Sequence, residues 1–275
     1  MAVLTLLAIG GWLLIDGSQS TASLKWLQFL QTVGTFLIPP FVCACLWDHD
    51  RQPLRWLHMN RVAHWQVFLL AIGIMLCAIP GINLLADLNS RIELPKSLDF
   101  IEQIFKQQEE AAAALTERFL QADNIGTLFL NIGLMALLPA LAEELSFRGT
   151  LQQILANSQR SMANSHIAIW LTAIVFSAIH MQFYGFIPRM LLGAMFGYVF
   201  LWSGSLWVPI LMHFTNNGIA VLVYYLTANS QHLTANGQTN IADTIGAGDT
   251  WWLGVISIMI TSLGLLIFYR RTRTQ

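Results

Sequence analysis

The chain has 275 residues, of which 55% are hydrophobic and only 11% are charged, with a net charge of −1. Soluble domains carry about 25% charged residues, so this composition excludes an ordinary soluble domain and is typical of a membrane protein. The chain also lacks the basic excess with which proteins bind nucleic acid, so we expect no nucleic-acid partner.

The apolar segments predict an all-α fold, a polytopic membrane helix bundle with about eight transmembrane helices and one amphipathic helix outside the membrane. The spans are expected at residues 1–15, 26–47, 63–85, 128–155, 167–186, 188–202, 206–226 and 251–269. We expect a single integral-membrane domain over 1–275, divided into N-terminal spans and a connector (1–124), a catalytic core (125–228), and an outer loop with the last span (229–275).

The distribution of Lys and Arg predicts the orientation of the bundle. Arg270, Arg271 and Arg273 follow the last span, which places the C-terminus in the cytoplasm, and eight spans place the N-terminus there too. This orientation puts seven basic residues inside and five outside, the inner ones including also Arg51, Arg55, Arg61 and Arg160, and the outer ones being Lys25, Arg91, Lys96, Lys106 and Arg118. Arg148 and Arg189 are set apart because they fall within predicted spans.

The polar connector after the third span predicts an amphipathic helix. Its apolar residues recur every three or four positions, at Leu98, Ile101, Phe105, Ala112, Leu115 and Phe119. Asp99 is expected to be the N-cap. We expect this helix to lie on the membrane surface or to fold over the bundle, and a packing role and a role as a substrate lid both remain open.

Three charged residues, Glu143, Glu144 and Arg148, interrupt the apolar run over 128–155, which predicts a single helix. A charge at bilayer depth costs roughly 2.5–3.5 kcal/mol on insertion scales, so such residues indicate a functional site. Glu144 and Arg148 are four residues apart and share a helix face, whereas Glu143 points about 100° away. We therefore expect Arg148 to hold Glu144 and to leave Glu143 free.

Two later spans also carry polar side chains, with His180 in the first and with His213 and Asn217 in the second. The span midpoints place Glu143, His180 and His213 each within about 6 Å of the centre of its helix. His213 and Asn217 are four residues apart and share a face. The three helices are therefore expected to bring their polar groups to a similar depth.

Each of these groups also has a purely structural interpretation. A lone histidine in a membrane helix more often makes an interhelical hydrogen bond than performs catalysis, and a Glu–Arg pair at this spacing is commonly structural. Together, however, a glutamate, two histidines and an asparagine in a dry cavity can activate a water and stabilise an oxyanion.

The ordered motifs Glu143-Glu144-x-x-x-Arg148, Phe176-x-x-x-His180 and His213-x-x-x-Asn217 resemble the signature of the CAAX-protease and bacteriocin-processing family of intramembrane endopeptidases, which includes the Ras-converting enzyme. The resemblance covers about 125–228. It implies a CAAX-prenyl-protease-like endopeptidase of the bacterial plasma membrane. Its expected substrate is a hydrophobic or lipid-anchored protein or peptide that reaches the site from the lipid bilayer.

The resemblance also implies roles for individual residues. Glu143 would be the general base for the attacking water, Glu144 and Arg148 would fix the helix, His180 would position the water, and His213 and Asn217 would stabilise the oxyanion. The family is often described as metalloproteases, and Glu143, His180 and His213 are candidate ligands for a divalent metal such as Zn²⁺. We favour a glutamate-activated water without a metal, because a metal would occupy the Glu143 carboxylate.

Two other classes of protein use intramembrane charges. A proton-coupled transporter could use the same Glu, Arg and His residues as a relay, although we find no inverted repeat in the sequence. A non-catalytic scaffold or immunity protein is the second alternative, and the intact set of polar residues disfavours it.

Overall fold

A computed structural model describes residues 20–47, 52–122, 124–157, 162–231 and 245–273. These residues fold into helices joined by short turns, without strands, which confirms the predicted all-α fold. The helices are α1 (Thr21–Trp47), α2 (Pro53–Trp56), α3 (Trp65–Ser90), α4 (Asp99–Leu120), α5 (Ile125–Ala156), α6 (Met162–Ala178), α7 (Phe186–Ser203), α8 (Trp207–Gln231) and α9 (Trp251–Arg273).

Within the described residues, five helical segments are long and apolar enough to cross a membrane: α1, α3, α5, α9 and the segment Phe183–Ser203 that contains α7. They identify an integral membrane protein. The predicted span over 206–226 is helical as part of α8 but is not among these five. The first predicted span, 1–15, lies outside the described residues.

The predicted span over 167–186 is wrong, because α6 ends at Ala178. The chain turns at Met181, whose φ of 55° lies in the left-handed region, and forms a 3₁₀ turn at Phe183–Gly185 before α7 begins. His180 therefore lies beyond the end of α6 and not near the middle of a span. The prediction that His180 lies at mid-helix depth is therefore wrong.

The longest described helix, α5, is continuous but contains two π-helical segments. Wider π-helical turns occupy Ile132–Leu137 and Phe147–Gln152, on either side of the α-helical segment Leu138–Ser146. Such turns occur often at functional sites, because they rotate the side chains that follow them. Glu143 and Glu144 lie in the α-helical segment, and Arg148 lies in the second π segment.

Helix α8 is central, because it packs against α3, α5 and α7. One core cluster joins α3, α7, α8 and α9 through buried residues that include Met75, Phe196, Met212 and Phe268. A second joins α1, α5, α7 and α8 around Ala44, Leu145, Phe200 and Ile210. These two cores fix the helices that carry the polar groups of the site.

Helix α4 is the predicted amphipathic helix, and it folds over the bundle. Its Phe105 ring stacks on Phe183 with ring centroids 4.9 Å apart, and its Phe119 is buried. Asp99 is not the N-cap, because it is already the first helical residue and Leu98 holds the cap position without a side-chain hydrogen bond. Glu102 instead anchors this end by accepting a hydrogen bond from the Leu94 backbone N–H.

Candidate functional site

Glu144 is at the centre of a buried hydrogen-bonded cluster. Its Oε1 accepts from Arg148 Nη1 at 2.7 Å and is 2.9 Å from His213 Nδ1. The Glu144 and Arg148 side chains are 0% and 1% exposed, and that of His213 is 6% exposed. The predicted contact between Glu144 and Arg148 is present. The hydrogen bond between His213 and Glu144, which connects α8 to α5, was not predicted.

Arg148 contacts two aromatic rings and makes a hydrogen bond beyond the one to Glu144. Its second nitrogen, Nη2, donates to the carbonyl oxygen of Gly193 at 2.8 Å, and its guanidinium lies 4.8 Å from the centroid of the Phe176 ring and 5.4 Å from that of Phe196. A Cβ at Gly193 would come within 3.1 Å of Phe176, so this glycine permits the close contact between α7 and α6. The small residue also leaves its carbonyl open to Arg148.

Glu143 differs from its neighbour in having no hydrogen bond from any described residue. Its Oε2 is 4.0 Å from His213 Nε2, and its side chain is 16% exposed. The carboxylate therefore faces the polar interior of the bundle and not the surrounding lipid. Because the partnered Glu144 orients the imidazole, the free Glu143 faces a histidine of fixed direction.

The hydrogen bonds determine which nitrogen of each histidine carries a proton. His180 Nδ1 is 2.7 Å from the carbonyl oxygen of Phe176, and His213 Nδ1 contacts the carboxylate that Arg148 holds. Carbonyl and carboxylate oxygens accept, so both Nδ1 atoms donate. In the neutral rings, Nε2 is then the nitrogen with a free lone pair.

Phe176 lies between the two histidines. Its ring centroid is 5.2 Å from that of His180 and 6.1 Å from that of His213, with interplanar angles of 66° and 87°. The Phe196 ring stacks on His213 from the other side at 5.4 Å. The structure thus brings both histidines to the rings that also surround Arg148.

Asn217 lies one turn after His213 on α8. Its Nδ2 makes a long hydrogen bond of 3.5 Å to the carbonyl of Met135 in α5, and its Oδ1 accepts from Asn216 at 3.1 Å. It makes no hydrogen bond to the cluster around Glu144 within the described residues. The long bond leaves its amide available to another acceptor.

A second polar cluster was missed by the sequence analysis. Arg189 Nη2 donates to Gln182 Oε1 at 2.7 Å, and Gln182 Nε2 donates to Glu109 Oε1 of α4 at 3.3 Å. The charge of Arg189 acts on both Glu109 and Glu143. The only clue in the sequence is that Arg189 falls within a predicted span.

The candidate metal ligands are not arranged as a ligand set. The described part of the chain contains no group of three His, Cys, Asp or Glu side chains placed to hold a metal ion. His213 already uses Nδ1 on Glu144, and its Nε2 is 4.0 Å from Glu143. We therefore assign no metal-dependent step to these residues.

Comparison with known proteins points to one family. Residues 125–219 match the family described as "Type II CAAX prenyl endopeptidase Rce1-like". The uncharacterized protein YpbD of Bacillus subtilis (strain 168) is 32% identical over 88 residues, which cover 30% of this chain and 40% of YpbD. No solved structure matches the chain. The match covers Glu143, His180, His213 and Asn217, so this segment of the chain is similar to the Rce1-like family.

Proposed function

We propose that the protein is an intramembrane endopeptidase that hydrolyses a peptide bond of a membrane-associated or lipid-anchored protein or peptide. The observation that carries this proposal is the free Glu143 carboxylate, 4.0 Å from the Nε2 of a histidine whose other nitrogen is fixed by Glu144. A free carboxylate beside an oriented imidazole is an arrangement that can remove a proton from a water and return it to a leaving group.

In the proposed reaction, Glu143 takes a proton from a water while the water oxygen bonds to the carbonyl carbon of the substrate. The carbonyl oxygen becomes an oxyanion in the tetrahedral intermediate. When the C–N bond breaks, Glu143 gives its proton to the leaving nitrogen, so that the products are a carboxylic acid and an amine. The bare Nε2 of His180 accepts a hydrogen bond from the water and orients it.

Asn217 and His213 are the proposed donors to the oxyanion. The Nδ2 of Asn217 donates a long hydrogen bond of 3.5 Å to Met135, while its Oδ1 accepts from Asn216, so the N–H group can turn to a new acceptor without losing a strong contact. His213 can donate from Nε2 only as the doubly protonated imidazolium, because its Nδ1 already donates to Glu144. Oxyanion donors of this kind typically contribute ~10²–10³ in rate.

The substrate is proposed to enter from the lipid bilayer, because the site lies among apolar helices and residues 125–219 match a family named for prenyl endopeptidases. We further propose that the protein spans the bacterial plasma membrane with both termini in the cytoplasm. Reporter fusions to each terminus test this orientation, and a periplasmic signal from either terminus contradicts it.

The central test is cleavage of a membrane-peptide library by the purified protein in nanodiscs. We expect wild-type protein to cleave a subset of peptides and Glu143→Gln to lose at least ~10² of the rate, since the amide cannot accept the proton. Glu110→Gln, at an exposed position on α4, is the matched control and is expected to retain activity. Cleavage by Glu143→Gln at the wild-type rate rules out the assigned base.

Metal dependence is tested separately. We expect the enzyme to keep its activity after treatment with a chelator and removal of the chelated ions, with metal analysis of the treated sample as the measurement. Loss of activity that added Zn²⁺ restores would instead assign Glu143, His180 and His213 to a metal.

A further inference from the structure

Arg189 has a hydrogen-bonding nitrogen that the described structure leaves unused. Its Nη2 is held by Gln182, but its Nη1 is buried and has no hydrogen-bond partner. A buried donor without a partner is costly, and an arginine in an apolar helix is more costly still. The Nη1 of Arg189 can therefore donate to a further acceptor in addition to Gln182.

Helix α4 supplies a carboxylate to the same place. Glu109 accepts from Gln182 through Oε1 at 3.3 Å, while its Oε2 is buried without a partner. Gln182 thus lies between a guanidinium and a carboxylate whose charges act on each other. Glu109 is attracted to Arg189 but does not hydrogen-bond with it, so this contact is incomplete on both sides.

We propose that Arg189 binds a carboxylate of the substrate, and that Glu109 occupies the surroundings of Arg189 until the substrate arrives. Arg189 already acts on two carboxylates, those of Glu109 and Glu143, so a third would leave an excess of negative charge. Exchange of Glu109 for a substrate carboxylate keeps the charge constant. A planar guanidinium also offers two parallel N–H groups that match a carboxylate.

The exchange requires α4 to move only locally. The contacts that hold its middle are the Phe105–Phe183 stack and the 3.3 Å hydrogen bond to Gln182, both on its inner face. Release of Glu109 to water also lets water hydrogen-bond to its Oε2, which is buried without a partner in the structure. The chemistry does not distinguish a C-terminal carboxylate from that of an aspartate or glutamate side chain, so the experiment must separate them.

This inference rests on the proposed function, because it says which chemical group of the substrate Arg189 binds. It can nevertheless be tested by measuring peptide binding without cleavage. The host is the Glu143→Gln protein in nanodiscs of phosphatidylethanolamine and phosphatidylglycerol. The probes are versions of one fluorescent apolar peptide: with a free C-terminus, with an amidated C-terminus, and amidated with an internal Asp or Asn.

We expect one carboxylate peptide, free-acid or Asp, to bind about 10- to 100-fold more tightly than its neutral counterpart, as charged hydrogen bonds allow. When Arg189→Gln is added to the Glu143→Gln protein, we expect the two peptides to bind equally. With Arg189→Lys, we expect part of the preference for the carboxylate peptide to remain. Adding Glu109→Gln tightens binding of the carboxylate peptide, because its competitor is gone, whereas Glu110→Gln does not.

Equal binding of charged and neutral peptides overturns the inference, and so does an equal loss for both in Arg189→Gln. If Arg189→Gln does not fold, Glu109→Gln decides alone, and the absence of a gain over Glu110→Gln overturns the proposal. Absence of any cleavage by the wild-type protein refutes the proposed function instead, since the binding ratios are measured without turnover.

Discussion

The two polar clusters of the molecule differ in how completely the arginine of each is hydrogen-bonded. The inner cluster, Glu144, Arg148 and His213, is almost fully buried, and Arg148 has partners on both terminal nitrogens. Each cluster has one buried carboxylate oxygen without a partner, Glu144 Oε2 in the inner cluster and Glu109 Oε2 in the rim cluster of Glu109, Gln182 and Arg189. The rim cluster also has a buried guanidinium nitrogen without a partner, Nη1 of Arg189.

The difference separates a structural frame from an exchangeable contact. A buried ion pair stabilises a protein only when hydrogen bonds offset the desolvation of both charges, and removal of one partner leaves an uncompensated charge. In the inner cluster, Arg148 hydrogen-bonds directly to Glu144 and has a partner on each terminal nitrogen, so we infer that it fixes α5 against α7 and α8. In the rim cluster, Arg189 makes no hydrogen bond to Glu109, and its Nη1 is available to another acceptor.

The largest expected effect is on the inner cluster. Arg148→Leu leaves Glu144 buried without its cation and is expected to destabilise the protein by about 3–5 kcal/mol. Adding Glu144→Gln should recover part of this loss, because the double variant no longer buries an unpaired charge. The measurement is unfolding in a mild detergent. If the double variant is as unstable as the sum of the two single ones, charge pairing does not explain the effect.

The next effect concerns activity and not stability. Asn217→Ala is expected to lower the rate of peptide cleavage by ~10²–10³, the usual cost of losing one oxyanion donor. The stability of the protein should change little, because the hydrogen bond from Asn217 to Met135 is 3.5 Å long and its other one, at 3.1 Å, is to the adjacent Asn216 of the same helix. The neighbouring Asn216→Ala is the matched control. An equal loss of activity in both variants indicates a structural role for the pair and not an oxyanion site.

Sequence spacing predicted the contacts within one helix but not those between helices. The four-residue separation of Glu144 and Arg148 placed them on one face, and they are hydrogen-bonded at 2.7 Å. Which glutamate meets His213 depends on the rotation of α5 against α8, which spacing along either helix does not contain. Spacing therefore predicted no partner for His213, although its Nδ1 is 2.9 Å from Glu144 Oε1.

The end of α6 was missed for a related reason. The apolar run continues past Ala178 through Ile179, and the first glycine after it is Gly185, so composition predicts no stop. The helix ends where tertiary contacts take over: Gln182 binds Glu109, and Phe183 stacks on Phe105 of α4. The same contacts created the rim cluster, whose residues looked like unrelated positions of a connector and a span.

A direct comparison of the two clusters uses Gln182→Ala. We expect it to lower the free energy of unfolding by about 1 kcal/mol, because Gln182 is only half-buried and water can replace its hydrogen bonds. The loss should be several times smaller than that of Arg148→Leu in the same unfolding assay. An equal loss would show that the rim cluster is also part of the structural frame.

The smallest expected effect tests how firmly the N-terminal end of α4 is attached. A hydrogen bond from Lys106 and a second from the Leu94 backbone N–H hold the pKa of Glu102 below its ordinary value of 4.5. A lowered pKa means that the folded state favours the carboxylate. The contribution is therefore complete above the ordinary value and is lost as the pH falls from there through the lower, folded value.

Hydrogen exchange of α4 is the measurement, at about pH 6 and about pH 3 after correction for the intrinsic exchange rate. We expect the backbone N–H of Leu94 and the first turns of α4 to lose protection at the lower pH, while α5, where Arg148 holds Glu144, changes less. Glu102→Gln should show weak protection at both values, since a neutral amide is a poorer acceptor than a carboxylate. Protection that is independent of pH in the wild-type protein would mean that the aromatic contacts of α4, and not Glu102, attach this end to the bundle.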